Sequence, residues 1–263
     1  MARKTADIDP RIGNDRVGLM VTRGQVEHLG HAALKAQMLV DNSRNIIAFG
    51  SSQRSGEFGN PLTSDQKRRA QLGVWGDAFK MVFLQDIGAT DRSTDWTDYV
   101  LDRIETNQLP EPTDFYAGSR HEARWYEERF VRLTGAPDYV RGGFQVWENA
   151  ETGKRIHILD REVNVQISAS QVRTMIEQRD PAWRDFVPAK LWDFYDWEYP
   201  PHLRVALALP HDMLEFPKDV PVGTKGIWAY DAKKRNDRVF VFRDDGEWRP
   251  RTEAEMSAKS MGD

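Results

Sequence analysis

The sequence contains no cysteine. That absence excludes disulfides, thiolate metal sites and thiol nucleophiles together. Long apolar runs are missing too. No stretch approaches the roughly 20 residues that a bilayer-spanning helix needs, and the polar segment Met1–Arg16 lacks the apolar core of a signal peptide. A soluble, cytoplasmic protein with no membrane partner is the expectation. A surplus of one charge is absent as well. Charged residues make up 30% of the chain but balance to a net charge of −4. Generic nucleic-acid binding by bulk electrostatics is therefore not expected, although a local basic pocket stays open. No internal repeat or low-complexity tract breaks the chain.

What is present suffices for a real core: 263 residues at 40% hydrophobic content suit one large domain with or without an appendage. Val17–Val21, Asn45–Phe49, Met81–Leu84, Asp114–Ala117 and Ile156–Leu159 read as short buried strands. Between them, helical spacing marks Leu29–Val40, a helix beginning at Thr63, Trp96–Ile104 and His121–Leu133, the last with Gly135 as its stop. Ser168–Arg179 follows, and Trp183–Tyr195 gives one or two more helices. Strands alternating with helices predict a doubly wound α/β fold with a parallel sheet covered on both faces. From about Pro200, prolines punctuate short runs such as Leu203–Leu209, Gly226–Tyr230 and Arg238–Phe242, which read as a small β-rich appendage. The expected division is a tail over 1–15, a main domain over 16–198, the appendage over 199–250 and a polar tail over 251–263.

Two strand-to-helix junctions carry chemistry. The first runs Thr22-Arg-Gly-Gln-Val-Glu-His-Leu-Gly-His31. In an open α/β sheet ligands sit beyond the carboxyl ends of the strands, where this junction lies. His28 and His31, three residues apart, share one face of a helical turn. The helix N-terminus favours anions, Gly30 allows close approach, and Arg23 adds a fixed charge. The second junction is Ile167-Ser-Ala-Ser-Gln-Val-Arg173. Ser168 or Ser170 makes a natural N-cap, and Arg173 follows Ser170 by one turn on the same side. Hydroxyls, backbone N–H groups and a guanidinium fit the oxygens of a triphosphate.

His28-Leu-Gly-His31 resembles the HxGH signature of the nucleotidyltransferase superfamily, and Ile167–Arg173 resembles its ISxTxxR signature with Ser170 in the threonine position. Within that superfamily the chain is similar to the archaeal-type nicotinamide mononucleotide adenylyltransferases. Gly50-Ser-Ser-Gln53 resembles their GSxQ loop, Asn60-Pro-Leu-Thr63 their NPFT segment, Asp86-Ile87 with Trp96 their nicotinamide-holding stretch, and Gly118–Tyr126 their late-strand loop. The resemblance covers about residues 17–195. It implies a Rossmann-like fold and transfer of AMP from ATP to nicotinamide mononucleotide, releasing pyrophosphate and NAD. His28, His31 and Arg173 would act on the reacting phosphates. Arg23, Gly30, Ser168 and Ser170 would hold ATP phosphates. Asp86 and Trp96 would hold the acceptor, and Mg2+ would be bound mainly through ATP, with no protein metal ligands.

The sequence departs from the usual GRFxPxHxGH pattern. Thr22 stands in place of the first glycine, and Gly24 supplies the lost backbone freedom. A carboxylate at Glu27 would repel a triphosphate unless it faces solvent or helps hold the metal. Trp125 and Tyr126 read mainly as packing. Two other readings stay open: a relative that uses another acceptor such as phosphopantetheine or transfers CMP, and a non-catalytic nucleotide-binding module. The sequence also leaves room for a homo-oligomer.

Overall fold

The computed structural model describes residues 15–88, 94–127, 129–160, 167–200, 203–204, 214–215, 227–231, 238–244 and 247–250. The expected tails lie outside them, except for Asp15. Strand β1 (Val17–Thr22) leads into α1 (Leu29–Asp41), β2 (Arg44–Phe49), α2 (Ser64–Trp75), β3 (Lys80–Phe83), α3 (Thr94–Thr106), β4 (Asp114–Ala117) and α4 (Arg120–Glu127). A hairpin follows, β5 (Tyr139–Arg141) and β6 (Phe144–Glu148), then β7 (Arg155–Leu159), α5 (Ala169–Glu177), two 3-10 turns (Pro181–Phe186 and Ala189–Leu191) and α6 (Trp192–Glu198).

The main sheet has the order β3-β2-β1-β4-β7-β6-β5. Its first five strands run parallel, and β6 and β5 return antiparallel. The chain winds outward from β1 through β2 to β3, then crosses back to β4 beside β1. That reversal makes β1/β4 the switch point, whose carboxyl end is the natural ligand crevice of such a sheet. Period-2 alternation decides the two faces. Leu19, Ile46, Ala48 and Phe115 point to the side covered by Val100 and Ile104 of α3 and Ala123 of α4. Met20, Ile47, Phe49 and Tyr116 point to the side covered by Leu34 and Met38 of α1. A further cluster joins Val26, Leu62, Ile167, Val172 and Tyr195, so both junction loops share a core with α5 and α6.

The first five strands form the doubly wound parallel sheet that the sequence predicts, and residues 139–148, to which the sequence reading gives no element, add an antiparallel hairpin at its edge. Gly142 and Gly143, with φ of 59° and 81°, make its two-residue turn, which requires positive φ at both positions. Helix α4 ends at Glu127, not Leu133. Beyond it the Phe130 ring stacks on Phe115 at 4.6 Å, and Asn149 donates to the Phe130 carbonyl at 2.8 Å. Core packing and an outside hydrogen-bond partner thus overrule helix propensity there.

At the C-terminus, β8 (Leu214–Glu215), β9 (Ile227–Asp231), β10 (Arg238–Asp244) and β11 (Glu247–Pro250) pair antiparallel as a separate four-stranded sheet. Among the described residues no helix is long and apolar enough to cross a membrane.

Candidate active site

The loop after β1 is built by its own side chains. Thr22 Oγ1 accepts the Gly24 N–H at 3.1 Å. Gly24 has φ of 59°, and a Cβ there would overlap the Phe49 ring, so both conformation and space demand glycine. Buried Gln25 accepts the Leu62 N–H at 2.8 Å and donates to Asn60 Oδ1 at 3.3 Å. These bonds tie the loop to the Asn60-Pro61-Leu62 segment that leads into α2.

His28 is the N-cap of α1, and its Nδ1 accepts the Gly30 N–H at 3.1 Å. An accepting Nδ1 leaves the proton of a neutral ring on Nε2. Gly30 serves this cap: a Cβ there would lie 2.9 Å from the His28 ring. The His31 ring stacks on His28 with centroids 4.0 Å apart. Desolvation, reinforced by the Lys35 cation one turn on and opposed by the Val26 backbone, pulls the His31 pKa from 6.5 to about 3. His31 therefore meets a ligand as a neutral imidazole.

Glu27 neither faces solvent nor lines the cavity. It is buried, and its carboxylate accepts from Lys35 Nζ at 2.6 Å and Trp75 Nε1 at 3.1 Å, while its backbone N–H donates to the Tyr195 hydroxyl at 2.7 Å. Its charge is spent internally, which removes the repulsion that its position in the motif raised.

The second junction starts α5. Ser168 is its N-cap in a capping box: Ser168 Oγ accepts the Gln171 N–H at 3.2 Å, and Gln171 Oε1 accepts the Ser168 N–H at 2.9 Å. Arg173 is buried and donates to Ser170 Oγ at 2.9 Å. Its Nε finds no partner among the described residues. Burial lowers the Arg173 pKa, Tyr199 and Glu177 counter this, and Arg23 lowers it further. Arg23 and Arg173 thus bring two positive charges to one cavity, which suits an anion.

Away from the imidazoles, the loop after β2 holds Asp86. Ser51 Oγ donates to one carboxylate oxygen at 2.8 Å and Gln53 Nε2 to the other at 3.0 Å. Lys67 lies beneath that loop, donating to the Gly50 carbonyl at 3.1 Å. Burial and Arg23 bring its pKa from 10.5 to about 8 against the pull of Asp86. Trp96 on α3 meets Trp125 of α4 edge-on, with centroids 6.1 Å apart.

One cavity of about 590 Å³ joins these features, within the usual range for small-ligand sites. Arg23, His28, Gly30 and His31 line it, as do Ser168, Ser170 and Arg173, and so do Asp86 and Trp96. The sequence reading missed the floor, where Met20, Leu34, Tyr116 and Leu159 present apolar surface, and the walls contributed by Gln25, Arg54, His121 and Glu122. Trp125, read mainly as packing, also lines the cavity. The floor residues carry only core periodicity. His121 and Glu122 lie in the first turn of α4, inside the Gly118–Tyr126 stretch that the resemblance marked as a segment but not residue by residue.

No protein-family model matches this chain, and no curated protein matches it. Solved structures similar to it include two of the NadR protein, one in complex with NAD and AMP-PNP and one in complex with NR. Identities are 17% and 14%, and the TM-score is 0.46 for both. The match covers 69% of this chain, but only 47% and 46% of those chains, so this chain aligns with less than half of their length.

Proposed function

We propose that this protein is an adenylyltransferase that joins the AMP part of ATP to nicotinamide mononucleotide, forming NAD and pyrophosphate. One observation carries the reading: the paired imidazoles at the start of α1 and the Arg173 guanidinium at the start of α5 line a single cavity at the carboxyl end of the switch strands. Cations, neutral donors and helix N-termini there suit a triphosphate.

The mechanism that follows is in-line. The 5′-phosphate oxygen of the acceptor attacks the α-phosphorus, the bond to the bridging oxygen breaks, and pyrophosphate leaves with its charge. His28 and His31 donate to the α-phosphate and leaving oxygens, bonds that strengthen as charge builds there. Arg173 and Arg23 hold the β- and γ-phosphates, with Ser170 orienting Arg173. Asp86, already gripped by Ser51 and Gln53, retains lone pairs for a carboxamide N–H. Trp96 offers its face to a cationic pyridinium. Mg2+ carried on the phosphate oxygens would neutralise their charge. The protein's share is positioning and charge stabilisation.

Incubation with ATP, magnesium and a panel of phosphorylated acceptors tests this. NAD and pyrophosphate are expected from nicotinamide mononucleotide. Pyrophosphate only with phosphopantetheine, or only with CTP as donor, would reject the substrate assignment, and no pyrophosphate with any acceptor would favour a binding module. In an active protein, His31→Ala should lower kcat about 100-fold or more with little change in ATP affinity. Equal losses in both would count against a transition-state role.

A further inference from the structure

We propose that Glu27 and Lys35 are positioning residues for the imidazole pair: a buried ion pair that clamps the start of α1 onto α2 and sets one fixed cation behind His31. The inference rests on the anion-binding reading of the cavity and deepens it. Glu27 immediately precedes the N-cap His28, and Lys35 stands four residues beyond His31, so the pair brackets both imidazoles along one helical face. Lys35 is 1% exposed, and its ammonium donates at 2.6 Å to Glu27 and at 2.6 Å to Gln71 of α2. Trp75 at the end of α2 donates to the second Glu27 oxygen, and the Tyr195 hydroxyl of α6 accepts the Glu27 N–H. Elements from three places in the chain therefore meet at the residue before the first histidine.

Neither charge reaches the cavity, yet the lysine acts on what does. Beside desolvation, Lys35 is the charge that lowers the His31 proton affinity. Other titratable groups lining the cavity include His28 on the same turn, Arg23 on the β1 loop, Tyr116 on β4, Arg173 on α5 and the carboxylates Asp86 and Glu122. A carboxylate in this position of the loop thus lets an ammonium stay buried behind the imidazoles. An uncharged imidazole keeps its N–H for the phosphate and takes on charge only when the polyanion arrives.

The test uses the double variant Glu27→Gln/Lys35→Met, because removing one partner alone would leave a buried charge unpaired. His31 is followed by NMR titration of labelled protein, its resonance assigned by its loss in His31→Gln. In the double variant the His31 midpoint should rise by at least about one pH unit, whereas Lys35→Arg, which keeps the charge, should leave it near the wild-type value. At pH 7 the double variant should lose at least about tenfold in kcat with the KM for ATP held within about threefold. A wild-type His31 midpoint in the double variant would overturn the proposal, as would an equal rise in Lys35→Arg. Wild-type turnover in the double variant would also overturn it. The titration needs no acceptor, so its outcome stays distinct from whether the protein makes NAD.

Discussion

Single side chains in this protein are set by what surrounds them more than by their type. Gly24 is the sharpest case, with a positive φ and the Phe49 ring where a Cβ would go. Gly24→Ala should destabilise the fold by about 2 kcal/mol, read as a lower midpoint in urea. Glu177 shows the reverse of ordinary carboxylate behaviour. It is buried, accepts from the Tyr199 hydroxyl and faces the Arg173 charge. Burial outweighs both and raises its pKa from 4.5 to about 7. Because the folded value lies above the unfolded one, the folded state holds the extra proton. Its contribution to stability is fully present below about pH 4.5 and is lost as pH rises through about 7. Glu177→Gln keeps the acceptor and removes the titration. It should stabilise the protein at pH 8 by roughly 2 kcal/mol and have little effect at pH 4.5, as measured by denaturation at the two pH values. Glu27 carries the residue-scale lesson about legibility. Its carboxylate was visible in the sequence as an oddity, but its partners lie 8 and 48 residues away, at Lys35 and Trp75. No local pattern specifies them.

At the scale of elements, caps and periods were readable because they are local. Thr63 with Gln66 and Ser168 with Gln171 each close a capping box within four residues, and the structure forms both. Ser168 thus has a structural duty beside its place at the cavity, and two substitutions separate them. Ser168→Ala should cost about 1 kcal/mol of stability through the lost cap. Ser168→Asp should keep that stability, since aspartate caps well and suits a helix N-terminus. It should also weaken ATP binding by about tenfold or more, because it places a carboxylate in the cavity that Arg173 lines. Chemical denaturation and calorimetric titration read the two effects. An aspartate variant that binds ATP as the parent does would remove Ser168 from the phosphate site. Where elements were misread, tertiary partners had won. The Phe130 ring leaves the helical path to stack on Phe115, and the segment after Gly135 turns back to pair with β7 through β6.

For the whole molecule, the proposed cavity gathers loops from β1, β2, β3, β4 and α5, so a polyanion bound there should brace the fold. Saturating ATP at about 100 times its Kd would stabilise the folded state by roughly 2.7 kcal/mol, seen as a rise in Tm. Adenosine should give much less. Added salt should shrink the ATP effect, since the guanidinium of Arg23 is exposed and screened. Equal shifts from adenosine and ATP would mean that the cavity does not read phosphate.

By itself the sequence determined what depends on near neighbours along the chain: five buried strands, the helices between them, their caps, and two junctions whose residue types suit an anion. It determined these because alternation, helical spacing and capping operate over a few residues. Only the tertiary structure decided that both junctions open into one cavity, that Glu27 is neutralised inside the fold, and that His31 loses its proton to desolvation and a neighbouring cation. Burial and electrostatics sum over atoms distant in sequence, so their outcome exists only once the sheet has brought those atoms together.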